Sequence, residues 1–291
     1  MPVLFLVFKR PDTTKQVFEM IRQARPPRLY IGADGPRDWV EGEKQKVQAV
    51  REYIMSNIDW DCQVKTLFRE KNLGCGKAVS EAITWFFENE EMGIILEDDT
   101  VPSLSFFWFC EELLNKYRDN HQIWHIAGYS IQTDLIEYSY RFSRLVPIWG
   151  WASWRRAWKH YDYSMSKFDK NEKDIYEYFG RYKPDVLKTF EEVRDTWDIQ
   201  WAFTCVYNRA ITIIPKRSLV KNIGFGKEST HTKKADSINA SINSNDIEFP
   251  LIHPPEVIPD QRLDEDYLSK FYRKSLIGII KTFVRRIIYG R

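Results

Sequence analysis

The feature that most constrains the fold is a regular alternation of strand-like and helix-like segments over the first 126 residues. Between the apolar runs, the residue ranges 12–24, 38–56, 72–87 and 105–117 show helical spacing or helix-start signals. The runs that indicate buried strands are PVLFLVF, RLYIGAD, CQVKTLF, MGIIL and IWHIAG. Strand–helix–strand alternation at this period predicts an α/β domain, with a mostly parallel central sheet flanked by helices on both faces.

The periodicity weakens after residue 126. Residues 129–148 read as an irregular excursion, and PIWGWASWRRAW follows, whose second half could form a helix. Two helical stretches come next, and ITIIPKRSLVKN then reads as two short strands. We therefore expect one domain over residues 1–255, followed by a C-terminal helical extension over residues 256–291.

Composition excludes some classes of function. Hydrophobic residues make up 43% and charged residues 29% of 291, as in a folded soluble domain, and no segment approaches the length of a membrane span. The net charge of +2 argues against a nucleic-acid partner. The four cysteines have neither metal-site spacing nor a disulfide-dense pattern, so we expect free thiols in a reducing cytosol. The 11 tryptophans suit a packed core or a sugar site, and composition alone favours the core.

Three consecutive carboxylates, Glu97-Asp98-Asp99, come directly after the apolar run MGIIL. A second acidic triplet, Asp264-Glu265-Asp266, has no apolar strand before it, and a solvated charged turn is the ordinary interpretation of either. In open parallel sheets, however, ligands bind beyond the carboxyl ends of the strands. Asp34 follows the second strand, and the loop after the third strand carries Asn72, Gly74, Gly76 and Lys77. We therefore expect all three groups at one rim of the sheet.

Clustered carboxylates repel one another, so a site that keeps them usually supplies a cation or hydrogen-bond donors. Neither G-x-G-x-x-G after the first strand nor G-x-x-x-x-G-K-[ST] occurs, and Lys9-Arg10-Pro11-Asp12 stands where a glycine cradle would begin. These observations favour a nucleotide held through acidic groups and a divalent metal bound by Asp99.

Two later segments carry further candidates. In TWDIQW, Asp198 lies between Trp197 and Trp201, and an apolar setting can make a carboxylate a useful base. An Asp at a helix N-cap is an equally weighted interpretation. GFGKESTHT offers polar side chains that could meet phosphate, although an ordinary surface loop would read the same way.

The ordered set ILEDD, WGWASW, WDIQW and NIGFGKESTHT resembles the GT-A fold glycosyltransferases, and among them N-acetylglucosaminyltransferase I and its bacterial relatives. The resemblance extends over roughly residues 1–232. It implies that Asp99 binds manganese or magnesium, that Asp198 is the catalytic base, and that a loop over residues 224–232 closes on the diphosphate. The donor-binding residues that it implies are Asp34, Lys77, Glu97, Asp98, Gly150, Trp151, Lys227, Ser229 and His231.

The sequence departs from the family pattern in two places. The family base lies in W-D-D-W, whereas this chain has W-D-I-Q-W, so one acid is missing. The family histidine before the acidic strand has no clear counterpart, and Lys77 lies near that position. The resemblance still implies a metal-dependent, inverting transfer from a nucleotide-diphosphate sugar, with UDP the expected carrier, to a glycan or lipid-linked acceptor in bacterial surface polysaccharide synthesis.

Two other functions remain open from the sequence. A sugar-phosphate nucleotidylyltransferase uses a related sheet, but it normally has a Gly-rich, Arg-containing loop after the first strand, and KRPDTT matches that poorly. The other alternative is a non-catalytic carbohydrate-binding protein on the same fold. The presence of every acid that the transfer reaction requires argues against it.

The C-terminal segment SKFYRKSLIGIIKTFVRRIIYGR has no acid from Lys270 onward, and its apolar residues fall on one helical face. It predicts either a helix docked on the domain or a helix lying on an anionic membrane surface. The second possibility predicts a cytoplasmic protein that is peripheral on the inner face of the cell membrane.

Overall fold

The computed structural model describes residues 1–131, 135–193, 195–224 and 242–272. Within these ranges the centre of the fold is an eight-stranded sheet in the order β3-β2-β1-β4-β8-β6-β9-β7, and β5 pairs with β10 in a second sheet. The strands are β1 (Val3–Val7), β2 (Arg28–Ala33), β3 (Gln63–Phe68), β4 (Met92–Glu97), β5 (Thr100–Pro102), β6 (Ile123–Ala127), β7 (Tyr140–Ser143), β8 (Trp151–Trp154), β9 (Ile211–Pro215) and β10 (Val220–Asn222).

Helices cover both faces of the sheet. They are α1 (Pro11–Ala24), α2 (Glu43–Ser56), α3 (Cys75–Asn89), α4 (Leu104–Lys116), α5 (Arg155–Trp158), α6 (Lys173–Tyr176), α7 (Lys183–Glu191) and α8 (Asp198–Tyr207), with a 3-10 helix over Glu177–Tyr182 and a further helical segment over 261–272. In β1, Val3, Phe5 and Val7 pack towards α1, α2 and α4, whereas Leu4 and Leu6 pack towards α3, α5 and α8. Side chains of a strand alternate between faces, so a continuously apolar strand is what a sheet covered on both sides requires.

The predicted α/β class with a mostly parallel sheet is confirmed. Strands β1 to β4, β6 and β9 are mutually parallel, and each of the five strands predicted before residue 128 forms, as do the two predicted in ITIIPKRSLVKN. The sequence interpretation missed β7, which lies inside the stretch read as irregular, and β8, which forms from WASW. Strand β8 is only four residues long and buried throughout, so it shows no periodicity by which a strand could be recognised.

Strand register aligns the carboxyl ends of the central strands. Val7 is level with Ala33, and Leu6 is level with Glu97. The residues that follow β1, β2 and β4 therefore emerge at the same rim, where ligand sites form in such sheets. Because β8 runs antiparallel to β4, its first residue, Trp151, begins at that rim too.

The helical segment 261–272 is docked on the domain through Asp264. This carboxylate is fully buried and accepts hydrogen bonds from Arg141, the hydroxyl of Ser143 (2.7 Å), the backbone N–H of Arg144 (2.9 Å) and the hydroxyl of Tyr178 (2.8 Å). Its interpretation as part of a solvated charged turn is therefore wrong. Nothing tests the predicted boundary at residue 255, which stays a prediction.

Among the described residues, no helix combines the length and apolarity needed to cross a membrane. Residues 273–291, which carry most of the basic apolar tail, lie outside the described residues, so its predicted membrane contact stays a prediction.

Candidate functional site

The acidic triplet forms the tight turn between β4 and β5, at the rim of the sheet. Thr100 holds the turn closed, because its Oγ1 accepts from the backbone N–H of Glu97 and donates to the carbonyl of the same residue, both at 3.0 Å. Asp98 is 3% exposed. The side chain of Asp99 keeps 16% of its surface accessible. A buried strand therefore delivers three carboxylates to one small volume, and Asp99 is the more accessible of its two aspartates.

Arg10 is the counter-ion of this cluster. It lies in the connection from β1 to α1 and pairs with Asp98 and, at 2.9 Å from Nη2 to Oδ2, with Asp99. The sequence interpretation gave Arg10 no role, although it quoted the segment as lacking glycine. The available signal was topological, because a cation three residues past one parallel strand can reach the end of the adjacent strand.

Burial and mutual repulsion raise the pKa values of the acidic cluster. Burial raises the pKa of Glu97 well above its usual range, and the charges of Asp99, Asp198 and Asp98 add to this. Burial also raises the pKa of Asp98 to about 6, against the opposing effect of Arg10. The guanidinium of Arg10 thus compensates the negative charge of the cluster only in part, so binding of protons or of a second cation to the carboxylates is favoured.

Asp198 reaches the cluster from α8. It is the first residue of that helix, and Trp197 is the N-cap, so the N-cap interpretation of Asp198 is wrong. Its Oδ1 accepts from the hydroxyl of Thr196 and from the backbone N–H of Ile199 at 2.8 Å, whereas Oδ2 has no hydrogen-bond partner among the described residues. The charge of Asp198 acts on Glu97, which places the two carboxylates in one electrostatic neighbourhood. Oδ2 is therefore available to a substrate hydroxyl.

Cys75 lies in the same neighbourhood but is not a nucleophile at neutral pH. Burial, followed by the charges of Glu97, Asp198 and Asp195, raises the pKa of this thiol to about 12. The reactive form of cysteine is the thiolate, which is negligible at such a pKa.

The loop after β3 is fixed against the segment that precedes Asp198. The backbone N–H of Gly76 donates to Oδ1 of Asp195 at 3.0 Å, and a Cβ on Gly76 would lie 2.9 Å from the carbonyl oxygen of Thr196. Glycine at this position lets the two segments touch. Lys77, the next residue, is exposed on the first turn of α3, close to the rim as predicted from its place in the sequence. Its predicted contact with a nucleotide stays a prediction.

Asp34 follows β2 and has its oxygens occupied by the same loop. It accepts from the backbone N–H groups of Gly35 (2.9 Å) and Leu73 (3.0 Å) and from the side-chain amide of Asn72 (2.9 Å). Burial raises its pKa, while the backbone donors oppose the shift. Asp34 therefore ties the ends of β2 and β3 together, and a bound base would have to share these donors. Its predicted role in uracil binding stays a prediction.

The Gly150-Trp151 turn adds a backbone element and an aromatic stack. Gly150 has φ of +60°, and its carbonyl accepts from Gly128 at 2.7 Å. The ring of Trp151 is 1% exposed and stacks on Trp197 (5.7 Å between centroids) and on His125 (5.0 Å). The ring belongs to the core, as the packed-core interpretation of this segment held. Any contact of this turn with a donor sugar would involve its backbone.

The predicted diphosphate loop begins at the acidic cluster. The backbone N–H of Ile223 donates to the carbonyl of Asp99 at 2.8 Å, and a Cβ on Gly224 would collide with Oδ2 of Asp99. Lys227, Ser229 and His231 lie outside the described residues, so their assignments stay predictions.

The donor set suits a hard divalent cation only in combination with a substrate. Among the described residues, no group of three or more His, Cys, Asp or Glu side chains could enclose a metal ion. Mg²⁺ is commonly held by one or two carboxylates together with substrate phosphates, rather than by an all-protein cage. Asp99 meets that description, because it is partly exposed and the negative charge of its neighbours is only partly compensated. Arg10 would have to release Oδ2 of Asp99 for that oxygen to bind a cation.

No protein-family model matches this sequence, and no curated protein sequence matches it. The solved structures to which it is similar include mannosyltransferase PcManGT from Pyrobaculum calidifontis in complex with GDP-Man and Mn²⁺ (10% identity, TM-score 0.34), covering 52% of this chain and 44% of that one. S. aureus TarS 1-349 matches with 12% identity and a TM-score of 0.42, over 76% of this chain and 60% of that one. UDP-glucose pyrophosphorylase complexed with UDP-glucose matches with 11% identity and a TM-score of 0.35, over 74% and 91%.

The similar structures thus include both glycosyltransferases and nucleotidyltransferases with a GT-A-like fold. Because each of these TM-scores is below 0.5, they carry no conclusion about the activity of this chain. The narrower resemblance to N-acetylglucosaminyltransferase I has no support from the sequence comparisons and stays a prediction.

Proposed function

We propose that this chain is a nucleotide-sugar glycosyltransferase that moves a sugar from a nucleoside-diphosphate carrier to an acceptor hydroxyl with inversion at the anomeric carbon. The observation that supports this most is the convergence of two separate acidic elements at one rim of the sheet. Glu97 ends β4 and Asp98 and Asp99 follow it, whereas Asp198 comes from the start of α8 and keeps one oxygen free of hydrogen bonds to the described residues. A donor site and a base on different elements are what a single displacement needs.

The acidic cluster would receive the diphosphate end of the donor. A bound Mn²⁺ or Mg²⁺ would neutralise the negative charge that develops on the leaving diphosphate. Asp99 is the residue that would hold that ion, because it is the more accessible aspartate of the cluster. Arg10 holds the same carboxylate in the absence of a ligand and is close enough to contribute positive charge to the diphosphate region.

Asp198 would act on the acceptor. A hydroxyl is a poor nucleophile until a base takes its proton. In the proposed step the acceptor oxygen bonds to the anomeric carbon while the bond from that carbon to the diphosphate oxygen breaks. The hydroxyl proton passes to Asp198, and the bonding electron pair leaves with the diphosphate. One such displacement inverts the anomeric configuration.

UDP as the carrier, a glycan or lipid-linked acceptor, and a role in surface polysaccharide synthesis are further parts of this proposal. UDP as the carrier rests on the sequence resemblance at Asp34, and the acceptor class and the role in polysaccharide synthesis rest on the family resemblance as a whole. The cytoplasmic, membrane-peripheral location rests on the composition of residues 270–291.

The direct test is incubation of the protein with a panel of sugar nucleotides in the presence of Mn²⁺, Mg²⁺ or EDTA. We expect metal-dependent release of nucleoside diphosphate from at least one donor. Asp99→Ala should abolish metal-dependent binding of nucleoside diphosphate, whereas Asp61→Ala, at an exposed position away from the rim, should leave it unchanged.

Two results would refute the proposal. Exchange of labelled pyrophosphate into a sugar nucleotide, without release of diphosphate, would indicate a nucleotidylyltransferase. Saccharide binding with no turnover of any donor would indicate a carbohydrate-binding protein. Wild-type manganese-dependent affinity in Asp99→Ala would remove the metal assignment alone.

A further inference from the structure

A cavity of about 310 Å³ lies between the loop before β8, helices α7 and α8, and the helical segment 261–272. Its volume is within the range of small-molecule sites. A water molecule takes about 30 Å³ of liquid, so this space far exceeds an ordinary packing gap. Its walls are mainly aliphatic and aromatic, with Leu145, Trp149, Phe190, Ala202 and Tyr267 among the lining residues.

The cavity is continuous with the candidate base. Asp198 itself lines it, and Ile199, Ala202 and Val206 extend the same face of α8. These positions are three or four residues apart, which places them on one side of a helix. A molecule in the cavity would therefore lie along α8, with one end beside the carboxylate proposed to take the acceptor proton.

Charge is sparse and placed at specific points on the walls. Of the described residues that line the cavity, Arg144 alone is cationic and Asp198 alone is anionic. The guanidinium of Arg144 lies over the ring of Tyr178 at 5.1 Å, and its Nε is buried without a hydrogen-bond partner among the described residues. A buried donor without a partner is costly, so a ligand that supplies an acceptor to it is favoured.

We propose that this cavity binds the apolar part of an amphiphilic acceptor, which carries an anionic group for Arg144 and presents its hydroxyl to Asp198. This rests on the proposed transfer function and specifies its acceptor class. The substrate class is a hydroxyl compound attached through an anionic linkage, such as phosphate, to an alkyl or isoprenoid chain. A free, wholly polar oligosaccharide would leave the aliphatic walls at Leu145 and Ala202 without an apolar partner and would bring no anion to Arg144.

The test compares two probes with the same charge and different chains, octyl phosphate and methyl phosphate, by isothermal titration calorimetry on the full-length protein. We expect octyl phosphate to bind about 10-fold more tightly or better, because burial of each methylene is favourable. In Ala202→Trp the indole fills the cavity, and the preference for octyl phosphate should be lost. Ala49→Trp introduces the same side chain at an exposed position of α2 and should keep it.

A second pair of variants tests the cation. Arg144→Met keeps the length of the side chain and removes its charge, so it should weaken octyl phosphate binding while leaving the affinity for the uncharged octyl glucoside unchanged. Arg217→Met removes an exposed cation in the turn after β9 and should change neither affinity. Quenching of tryptophan fluorescence by 8-bromooctyl phosphate gives a reading that needs no cavity-filling variant. The quenching should decrease in Trp149→Phe.

The outcomes separate this proposal from the proposed function. Equal affinity of the wild-type protein for octyl and methyl phosphate, or an unaltered preference in folded Ala202→Trp, would overturn the amphiphile site. Binding of nucleoside diphosphate with Mn²⁺, measured on the same samples, shows whether each variant is folded and whether the donor site exists. Absence of a chain-length preference in the wild-type protein, with intact donor binding, would refute the acceptor class alone. A preference for octyl phosphate without any binding of nucleoside diphosphate would support the amphiphile site and refute the proposed transferase function.

Discussion

Replacing Arg10 by methionine removes the counter-ion of the acidic cluster and keeps most of the side-chain volume. In the wild-type protein its guanidinium pairs with Asp98 and Asp99, whose side chains are 5% and 16% exposed, while its own side chain is 22% exposed. The variant leaves Glu97, Asp98 and Asp99 adjacent, and no other cation of the described residues forms an ion pair with the two aspartates. We expect the free energy of unfolding to fall, because like charges in a partly buried site oppose one another.

The magnitude follows from the burial of the pair. Removing one partner of a fully buried ion pair costs about 3–5 kcal/mol, whereas an exposed pair contributes about 0–1 kcal/mol. The Arg10 pair is closer to the buried limit, so we expect a loss of about 3 kcal/mol near pH 7.5 in metal-free buffer. For a chain of this size that corresponds to a decrease in Tm of about 6 °C or more.

The pH dependence has a defined sign. Burial raises the folded-state pKa of Asp98 to about 6, and without Arg10 it should rise further. A carboxyl whose pKa is raised on folding stabilises the fold below its unfolded pKa, and this contribution is lost as the pH rises through the folded pKa. The deficit of Arg10→Met should therefore be largest at pH 7.5 and should shrink towards pH 4.5, where the carboxyls take up protons.

The assay is thermal unfolding of both proteins at pH 7.5 and pH 4.5, with and without Mn²⁺. A ligand that binds the folded state stabilises it by mass action. Mn²⁺ should therefore stabilise Arg10→Met more than wild type, because in the variant no guanidinium at position 10 competes for Asp99. Arg22→Met is the control, because its pair with Asp59 is 41% and 52% exposed and should change stability little. Equal stability of Arg10→Met and wild type at pH 7.5, or a deficit of the same size at both pH values, would refute the counter-ion role.

Three further predictions address the base, the loop and the core. Asp198→Asn should leave donor binding within a few-fold of wild type and lower turnover by about 10²-fold or more, and unchanged steady-state turnover would exclude Asp198 as the base. Gly224→Ala should displace Asp99 and weaken manganese-dependent nucleoside diphosphate binding about 10-fold to 100-fold in calorimetry, and wild-type affinity would contradict this. His125 should stay neutral in an NMR titration down to about pH 4, because burial lowers its pKa to about 4. Its contribution to the free energy of unfolding is present above about pH 6.5 and is lost as the pH falls towards 4. Protonation of His125 near pH 6.5 would contradict this prediction.

The rim was predictable because it depends on local patterns and one topological rule. Each parallel strand was recognisable as an apolar run, and the polar residues after each run then had to meet at one edge. That reasoning brought Asp34, the Gly74–Lys77 loop and the Glu97–Asp99 turn together without any knowledge of side-chain contacts. Asp198 needed more, because its helix comes far later in the chain, and its assignment came from a resemblance rather than from periodicity.

What could not be predicted depends on contacts between distant parts of the chain. Arg10 and Asp98 are 88 residues apart, and no local pattern marks them as partners; the one signal is that each follows one of two adjacent parallel strands. Asp264 meets Arg141 across 123 residues, which explains why a triplet without an apolar strand before it was taken for a solvated turn. In both cases the sequence shows a charge, and only the packing of the fold shows that the charge is buried and compensated.

In the proposed function, the three adjacent carboxylates at the end of a buried strand supply one half of a cation site, and Asp99 also holds the backbone of Ile223. A single guanidinium and one threonine hydroxyl hold the turn in the free protein, and the raised pKa values of Glu97 and Asp98 show that compensation is incomplete. The carbonyl of Asp99 accepts a hydrogen bond from the backbone N–H of Ile223, and its carboxylate occupies the place that a Cβ at Gly224 would take. Whatever binds Asp99 must therefore act on the backbone that leads into the segment with Lys227 and His231. Cation binding at Asp99 and the position of the backbone at Ile223 and Gly224 should therefore be thermodynamically coupled, each affecting the other by the same factor.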